Sequence, residues 1–182
     1  MKKELNSDRE LLDKFEENSE EGFRLIVIKY REKLYFHIRR ILILHEDSDD
    51  ALQNTFIKAW QGLAGFRKES SLYTWLFRIA TNEALQLLRK RKEERSLDSE
   101  TLEIIFSGSH EADMYFDGDD AYRRLTEAIL TLPEKQQLVF NMKYFDDMKY
   151  EDMAEILSTS EGALKASFHH ARKKIEDLLG ED

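Results

Sequence analysis

The sequence predicts an all-α protein: two small helical domains joined by an acidic linker, the second domain a helix-turn-helix. Three observations carry that expectation. Apolar residues recur every three or four positions through most of the chain, the spacing of amphipathic helices, and no segment needs a strand. Helix breakers are scarce, with one proline and seven glycines in 182 residues. Charge is unevenly spread: residues 1–92 carry 18 Lys and Arg against 15 Asp and Glu, residues 93–120 one Arg against ten acids, and residues 121–182 nine basic against twelve acidic side chains. The middle segment alone matches the net charge of −9 of the whole chain. It lacks a sustained period, and a structureless stretch of its length is unusual inside a compact domain. Residues 96–120 are therefore read as a linker between domains spanning 1–95 and 121–182.

The elements follow in order. Ser7-Asp8-Arg9-Glu10 has the form of a capping box ahead of Leu11, Leu12 and Phe15. Residues 18–22 break the pattern, and Phe23, Ile26, Tyr30, Leu34, Ile38 and Ile41 resume it. Residues 45–50 are polar and acidic and read as a turn, with Ser48 or Asp49 capping a helix over 51–63 that carries Leu52, Phe56, Ala59, Trp60 and Leu63. Gly62, Gly65 and the charged stretch after them mark a loop. A long helix over 69–92 follows, its apolar face made by Leu72, Trp75, Leu76, Ile79, Ala80, Ala84, Leu87 and Leu88. A short helix near Leu102–Phe106 is expected within the linker. In the second domain Leu125, Ile129 and Leu132 form one stripe, and Pro133 suits the first turn of the next helix. Leu138, Val139, Met142 and Phe145 supply that helix's buried face. Residues 150–157, a turn at 158–160 and a helix over 161–179 make the helix-turn-helix layout, with Leu164, Phe168, Ala171, Ile175 and Leu178 inward.

Two helices carry surfaces suited to nucleic acid. On the helix over 69–92, Arg78, Asn82, Gln86 and Arg89 share a face other than the apolar one, and all can hydrogen-bond; the helix then ends in the basic run 89–92. Phe66, Tyr73 and Phe77 are candidates for stacking on unpaired bases, whereas Trp60 and Trp75 read as core. On the last helix Ser160 can cap the N-terminus and leave its N–H groups for a phosphate. Lys165, Ser167 and His169 can donate to guanine or phosphate, and Arg172, Lys173 and Lys174 suit phosphates. The acidic balance implies weak binding to free DNA, because few phosphates can be neutralised.

Other classes find little footing. Without cysteine there are no disulfides or thiolate ligands, which is compatible with the expected cytoplasmic location. No apolar run approaches the roughly 20 residues of a membrane span, and the N-terminus lacks the apolar core of a secretory signal. His169 and His170 point about 100° apart on a helix and share an ion poorly. No cofactor, metal or catalytic residue is expected, and nothing supports an enzyme.

In order and spacing, DDALQNTFIKAW, then FRKESSLYTWLFRIATNEALQLLRKRK, then LPEKQQLVFNMKYFDDMKYEDMAEILSTSEGALKASFHHARKKIEDLL resemble an extracytoplasmic-function (ECF) sigma factor of the sigma-70 family. The resemblance covers nearly the whole chain, with the linker least distinctive. It implies that residues 1–95 are a region 2 domain and residues 121–182 a region 4 domain. Asp50, Gln53, Asn54, Phe56, Ile57 and Trp60 would dock on the clamp helices of the polymerase β′ subunit. Phe66, Arg67, Lys68, Ser70, Ser71 and Tyr73, with Arg78, Asn82, Gln86 and Arg89, would read and hold the melted minus-ten element. Ser160, Glu161, Lys165, Ser167, His169, His170, Arg172 and Lys173 would face the minus-thirty-five element. The implied partners are core RNA polymerase, through its β′ clamp helices and β flap, promoter DNA and an anti-sigma factor. The chain departs from the family pattern where Ser167 and His170 replace a frequent Arg, Asn54 a common Glu, and Asp147 a frequent Gly. A stand-alone helix-turn-helix regulator would leave residues 50–92 unexplained; a pure protein-interaction module would show no promoter preference.

Overall fold

The computed structural model describes residues 7–67, 69–94 and 120–180, and among these all regular structure is helical. Among the described residues eight helices follow one another: α1 (Asp8–Glu17), α2 (Ser19–Leu42), α3 (His45–Leu63), α4 (Leu72–Glu94), α5 (Asp120–Leu130), α6 (Glu134–Tyr144), α7 (Tyr150–Leu157) and α8 (Glu161–Gly180). The chain divides into two compact units, with the division in α4 after Leu88. The first is built from α1–α4 and the second chiefly from α5–α8. The short helix expected near Leu102 lies outside the described residues.

The first unit opens with the capping box: the Ser7 N–H donates to Glu10 Oε2 at 2.7 Å, and the Glu10 N–H to Ser7 Oγ at 3.3 Å. Only Asn18 separates α1 from α2, so the break is one residue rather than five. Its N–H ends α1 on Lys14 O, and its Oδ1 accepts from the Glu21 N–H at 3.1 Å to start α2. Across this tight corner Asp8 Oδ1 accepts from Lys29 Nζ at 2.7 Å and Tyr30 Oη at 2.6 Å. Burial and the Asp8 carboxylate raise the Tyr30 phenol well above its ordinary pKa.

The expected turn at residues 45–50 is instead the first turn of α3. The chain reverses within Ile43 and Leu44: Ile43 sits at φ 66°, strained for a β-branched residue, and the Leu44 N–H reaches Leu42 O at 2.8 Å. Acids there suit a helix start, because Glu46 and Asp47 meet the positive end of the dipole. Ser48, expected as a cap, is buried and donates back to Leu44 O at 2.6 Å.

In α4 the Ser71 hydroxyl caps the helix, accepting from the Thr74 N–H at 2.9 Å. Leu72, Leu76, Ala80 and Ala84 are buried as the spacing predicts. Phe77 is also buried, at 1 % exposure, against His37 and Tyr73. Its stacking role is thereby corrected: the core face is wide enough to take position 77 as well as 76. His37 Nε2 lies 2.9 Å from Thr81 Oγ1 in the core, and Thr81 donates to Phe77 O, so the histidine nitrogen is the donor that ties α2 to α4.

The second unit packs Ile129, Leu132, Phe140, Ala171 and Ile175 together, with Leu125, Phe145, Phe168 and Leu179 around them. Leu178, expected inside, is 46 % exposed. The inward row of α8 steps from 171 to 175 to 179, so Leu179 takes its place. Pro133 sits just before α6, at its N-cap. Between α6 and α7, Asp147 adopts φ 45°, letting the Met148 N–H reach Met142 O at 3.0 Å while the Met148 side chain is buried. A left-handed residue with a Cβ carries a cost that glycine avoids. Asp147→Gly forfeits only an exposed 3.4 Å contact with Lys143. It should stabilise the second unit by roughly 0.5 kcal/mol, seen as a raised thermal midpoint in circular dichroism; a lowered midpoint would refute the strain argument.

Candidate nucleic-acid interface

Burial of Leu76, Ala80 and Ala84 fixes the rotation of α4, and that rotation decides what faces outward. Asn82, Gln86 and Arg89 are exposed, and Arg78 is half-exposed on the same side. The sequence-derived polar face is therefore brought together on one helix. The loop before α4 places Arg67 and Ser71 at the surface and half-buries Phe66 and Ser70; Lys68 lies outside the described residues. Phe66 is held against Trp75, ring centroids 5.1 Å apart, and Tyr73 is half-buried against Phe77. Ser71 is committed to its cap, and its Oγ lies 2.7 Å from Thr74 Oγ1. Beside this loop a cavity of about 430 Å³ opens, walled by Asp8, Arg9, Leu12 and Asp13 of α1 and by Phe66, Ser70, Ser71 and Leu72.

A different surface lies on α3. Asp50, Gln53 and Asn54 are exposed. Ile57 and Trp60, one turn apart, are 47 % and 43 % exposed. This corrects the core reading of Trp60. Its ring is backed edge-on by Phe15 and Phe23, at 6.0 and 5.1 Å, and Phe56 also meets Phe23, so an aromatic cluster holds the indole at the surface. Trp75, by contrast, is partly buried against Phe66. An ion pair from Lys58 to Glu83 joins α3 to α4.

In the second unit, Ser158 in the left-handed region ends α7, and Ser160 Oγ accepts from the Ala163 N–H at 3.3 Å to open α8. Leu164, Ala171 and Ile175 turn inward, leaving Lys165, His169, His170, Arg172 and Lys173 exposed, with Glu161 and Ser167 partly so. Two of the cations are engaged: Lys165 with Glu161 at 2.9 Å and Arg172 with Glu176 at 2.6 Å. Spacing could suggest these pairs. It could not reveal that Lys165 Nζ also lies 5.4 Å from the centre of the Tyr150 ring, since Tyr150 belongs to another helix. Among the described residues no group of His, Cys, Asp or Glu could hold a metal ion, and no helix is long and apolar enough to cross a membrane.

Residues 26–94 match the family described as sigma-70 region 2, and residues 122–175 the one described as sigma-70, region 4. Together they take in about two thirds of the chain. The chain is 28 % identical over 181 residues to the RNA polymerase sigma-H factor of Pseudomonas aeruginosa, covering 94 % of this chain and 93 % of that protein. It is 28 % identical over 181 residues to the ECF RNA polymerase sigma-E factor of Haemophilus influenzae, covering 95 % of each. Two solved structures share the fold at 24 % identity. One is CnrH in complex with the cytosolic domain of CnrY, with a TM-score of 0.72 over 97 % of this chain and 99 % of that one. The other is the sigma factor RpoE of Bartonella quintana in complex with the anti-sigma factor NepR, with a TM-score of 0.69 over 88 % of this chain and 98 % of that one. With region 2 and region 4 in order on one all-α chain, and ECF sigma factors as full-length relatives, the chain belongs to the sigma-70 family as an ECF sigma factor.

Proposed function

We propose that this protein binds core RNA polymerase, directs it to specific promoters and helps open the minus-ten region, as an initiation factor without catalytic chemistry of its own. The observation that carries the reading is the succession of region 2 and region 4 on one chain. Neither unit needs to hold DNA alone. Polymerase ties both to one promoter, so two weak contacts combine by effective concentration. This answers the charge of −9, which would be a handicap for an unaided binder.

Within this reading residues 1–95 form the region 2 domain and 121–182 the region 4 domain. The α3 face from Asp50 to Trp60 docks on the β′ clamp helices, and region 4 meets the β flap. The α4 face with Arg78, Asn82, Gln86 and Arg89 holds the melted minus-ten strand. The cavity beside Phe66 and Ser70 has room for an extruded base, whose unstacking must be offset by such contacts. The exposed side of α8 reads the minus-thirty-five element, the acidic linker runs through the polymerase, and the protein works in the cytoplasm. An anti-sigma protein is a further partner, as RpoE has in NepR.

The test is run-off transcription with core polymerase and a promoter library; no new start site on any fragment would sink the reading. Asn82→Ala should lower promoter opening several-fold, read by permanganate footprinting, and leave core affinity unchanged. An equal fall in core binding would place α4 in the wrong role.

A further inference from the structure

Glu161, the first residue of α8, and Lys165, one turn later, form a 2.9 Å ion pair at the surface. Exposed pairs at this spacing contribute little to stability, but this one has a platform. Lys165 Nζ lies 5.4 Å from the centre of the half-buried Tyr150 ring at the start of α7. Lys143 Nζ lies 5.5 Å from the same ring and donates to Met148 O at 3.1 Å. The later pair of the same helix, Arg172 with Glu176, has no such ring beneath it among the described contacts. A hydrogen bond and charge from Glu161 raise the Lys165 ammonium above its ordinary pKa, so it stays charged.

A lysine meant for phosphate is poorly served by a carboxylate in contact with it. The pair is neutral and releases few counterions. What it offers is an acceptor and a donor side by side on the helix turn that a helix-turn-helix presents to base edges. In the major groove a G·C pair presents two acceptors, guanine N7 and O6, followed by the amino group of cytosine. In an A·T pair an amino group separates the acceptors, so an ammonium on adenine N7 meets a hydrogen where guanine would offer oxygen.

We propose that Glu161 and Lys165 act as one unit that reads a G·C pair in the upstream promoter element. Lys165 donates to guanine O6 and N7, Glu161 accepts from cytosine N4, and Tyr150 is the positioning residue beneath Lys165. The inference rests on the assignment of α8 to the minus-thirty-five element. Glu161 also selects against A·T, because a carboxylate placed for cytosine N4 would meet the thymine O4 acceptor there and be left desolvated and unpaired.

The test uses full-length protein, core polymerase and promoters randomised through the upstream element, with run-off transcripts sequenced so that preference is measured within one mixture. The wild type should select G·C at one position. Glu161→Ala should relax that selection about tenfold, the loss expected for a good bidentate contact. Lys165→Gln should move it toward A·T, since glutamine pairs with adenine. Tyr150→Ala should relax it, while Tyr150→Phe, which keeps the ring, should not. Identical selection by wild type and Glu161→Ala would overturn the proposal. So would an equal gain by Glu161→Ala on all promoters with a steeper salt dependence, the mark of a carboxylate that merely masks Lys165. If Glu161→Ala loses helix content by circular dichroism, Lys165→Gln decides, because it leaves the carboxylate in place. No start site from the wild type would instead overturn the sigma-factor function, and this inference with it.

Discussion

Replacing Gly22 with alanine should destabilise the first unit by about 3 kcal/mol, the upper end of overpacking costs. At an ordinary helix position the same change stabilises by about 1 kcal/mol, so the sign is the test. A Cβ on Gly22 would stand 2.3 Å from both the Cα and the N of Phe15 and 2.8 Å from the carbonyl carbon of Lys14. These are backbone atoms of α1, which cannot swing aside. The two helices must part, and parting them strains the bonds from Asp8 to Lys29 and Tyr30 and lifts Leu11 from the core. Both tryptophans, Trp60 and Trp75, lie in the first unit, so fluorescence follows that unit. The urea midpoint should fall by roughly 1–2 M. A midpoint that holds or rises would mean that α1 and α2 are not in backbone contact.

Gly22 also shows what a sequence pattern leaves out. The break around it was visible as a loss of period, but the reason, a backbone approach between two helices, is a fact about two elements at once. The same limit recurs elsewhere. The outward face of α4 was legible because Asn82 and Gln86 sit a fixed rotation from Leu76, Ala80 and Ala84, and helix geometry alone sets that angle. The burial of Phe77 is not legible from spacing, because the width of a buried face depends on what covers it, here His37 of α2. The chemistry of Trp60 suggests core, whereas Phe15 and Phe23 brace it at the surface. The start of α3 is ambiguous in sequence because its acids suit a turn, while the same acids favour a helix N-terminus. Of the candidate interface residues, those whose exposure follows from the geometry of one helix are legible in the sequence. Tyr150, which acts on Lys165 from another helix, is not.

Trp60→Ala should weaken binding to core polymerase by about thirtyfold or more, the loss expected of an aromatic hot spot. Single exposed apolar side chains are ordinary, so exposure alone would not support this. Ile57 and Trp60, however, are adjacent on one turn and continuous with Phe56 and the aromatic cluster behind them. A contiguous apolar patch of this kind suits the proposed docking role of α3. The hydrophilic neighbours Gln53 and Asn54 would form its rim. Ile57→Glu should act at least as strongly, because it places a charge where an apolar contact is expected. Both side chains are nearly half exposed, so neither change should unfold the unit, and Trp75 remains as a fluorescence reporter in the Trp60 variant. The decisive comparison is with Asn82→Ala. If core affinity falls for Ile57→Glu and Trp60→Ala but not for Asn82→Ala, α3 and α4 divide the labour between polymerase and DNA. If it falls for Asn82→Ala alone, the two faces exchange roles: the apolar patch on α3 then needs another occupant, and the amide-rich face of α4 becomes the polymerase contact.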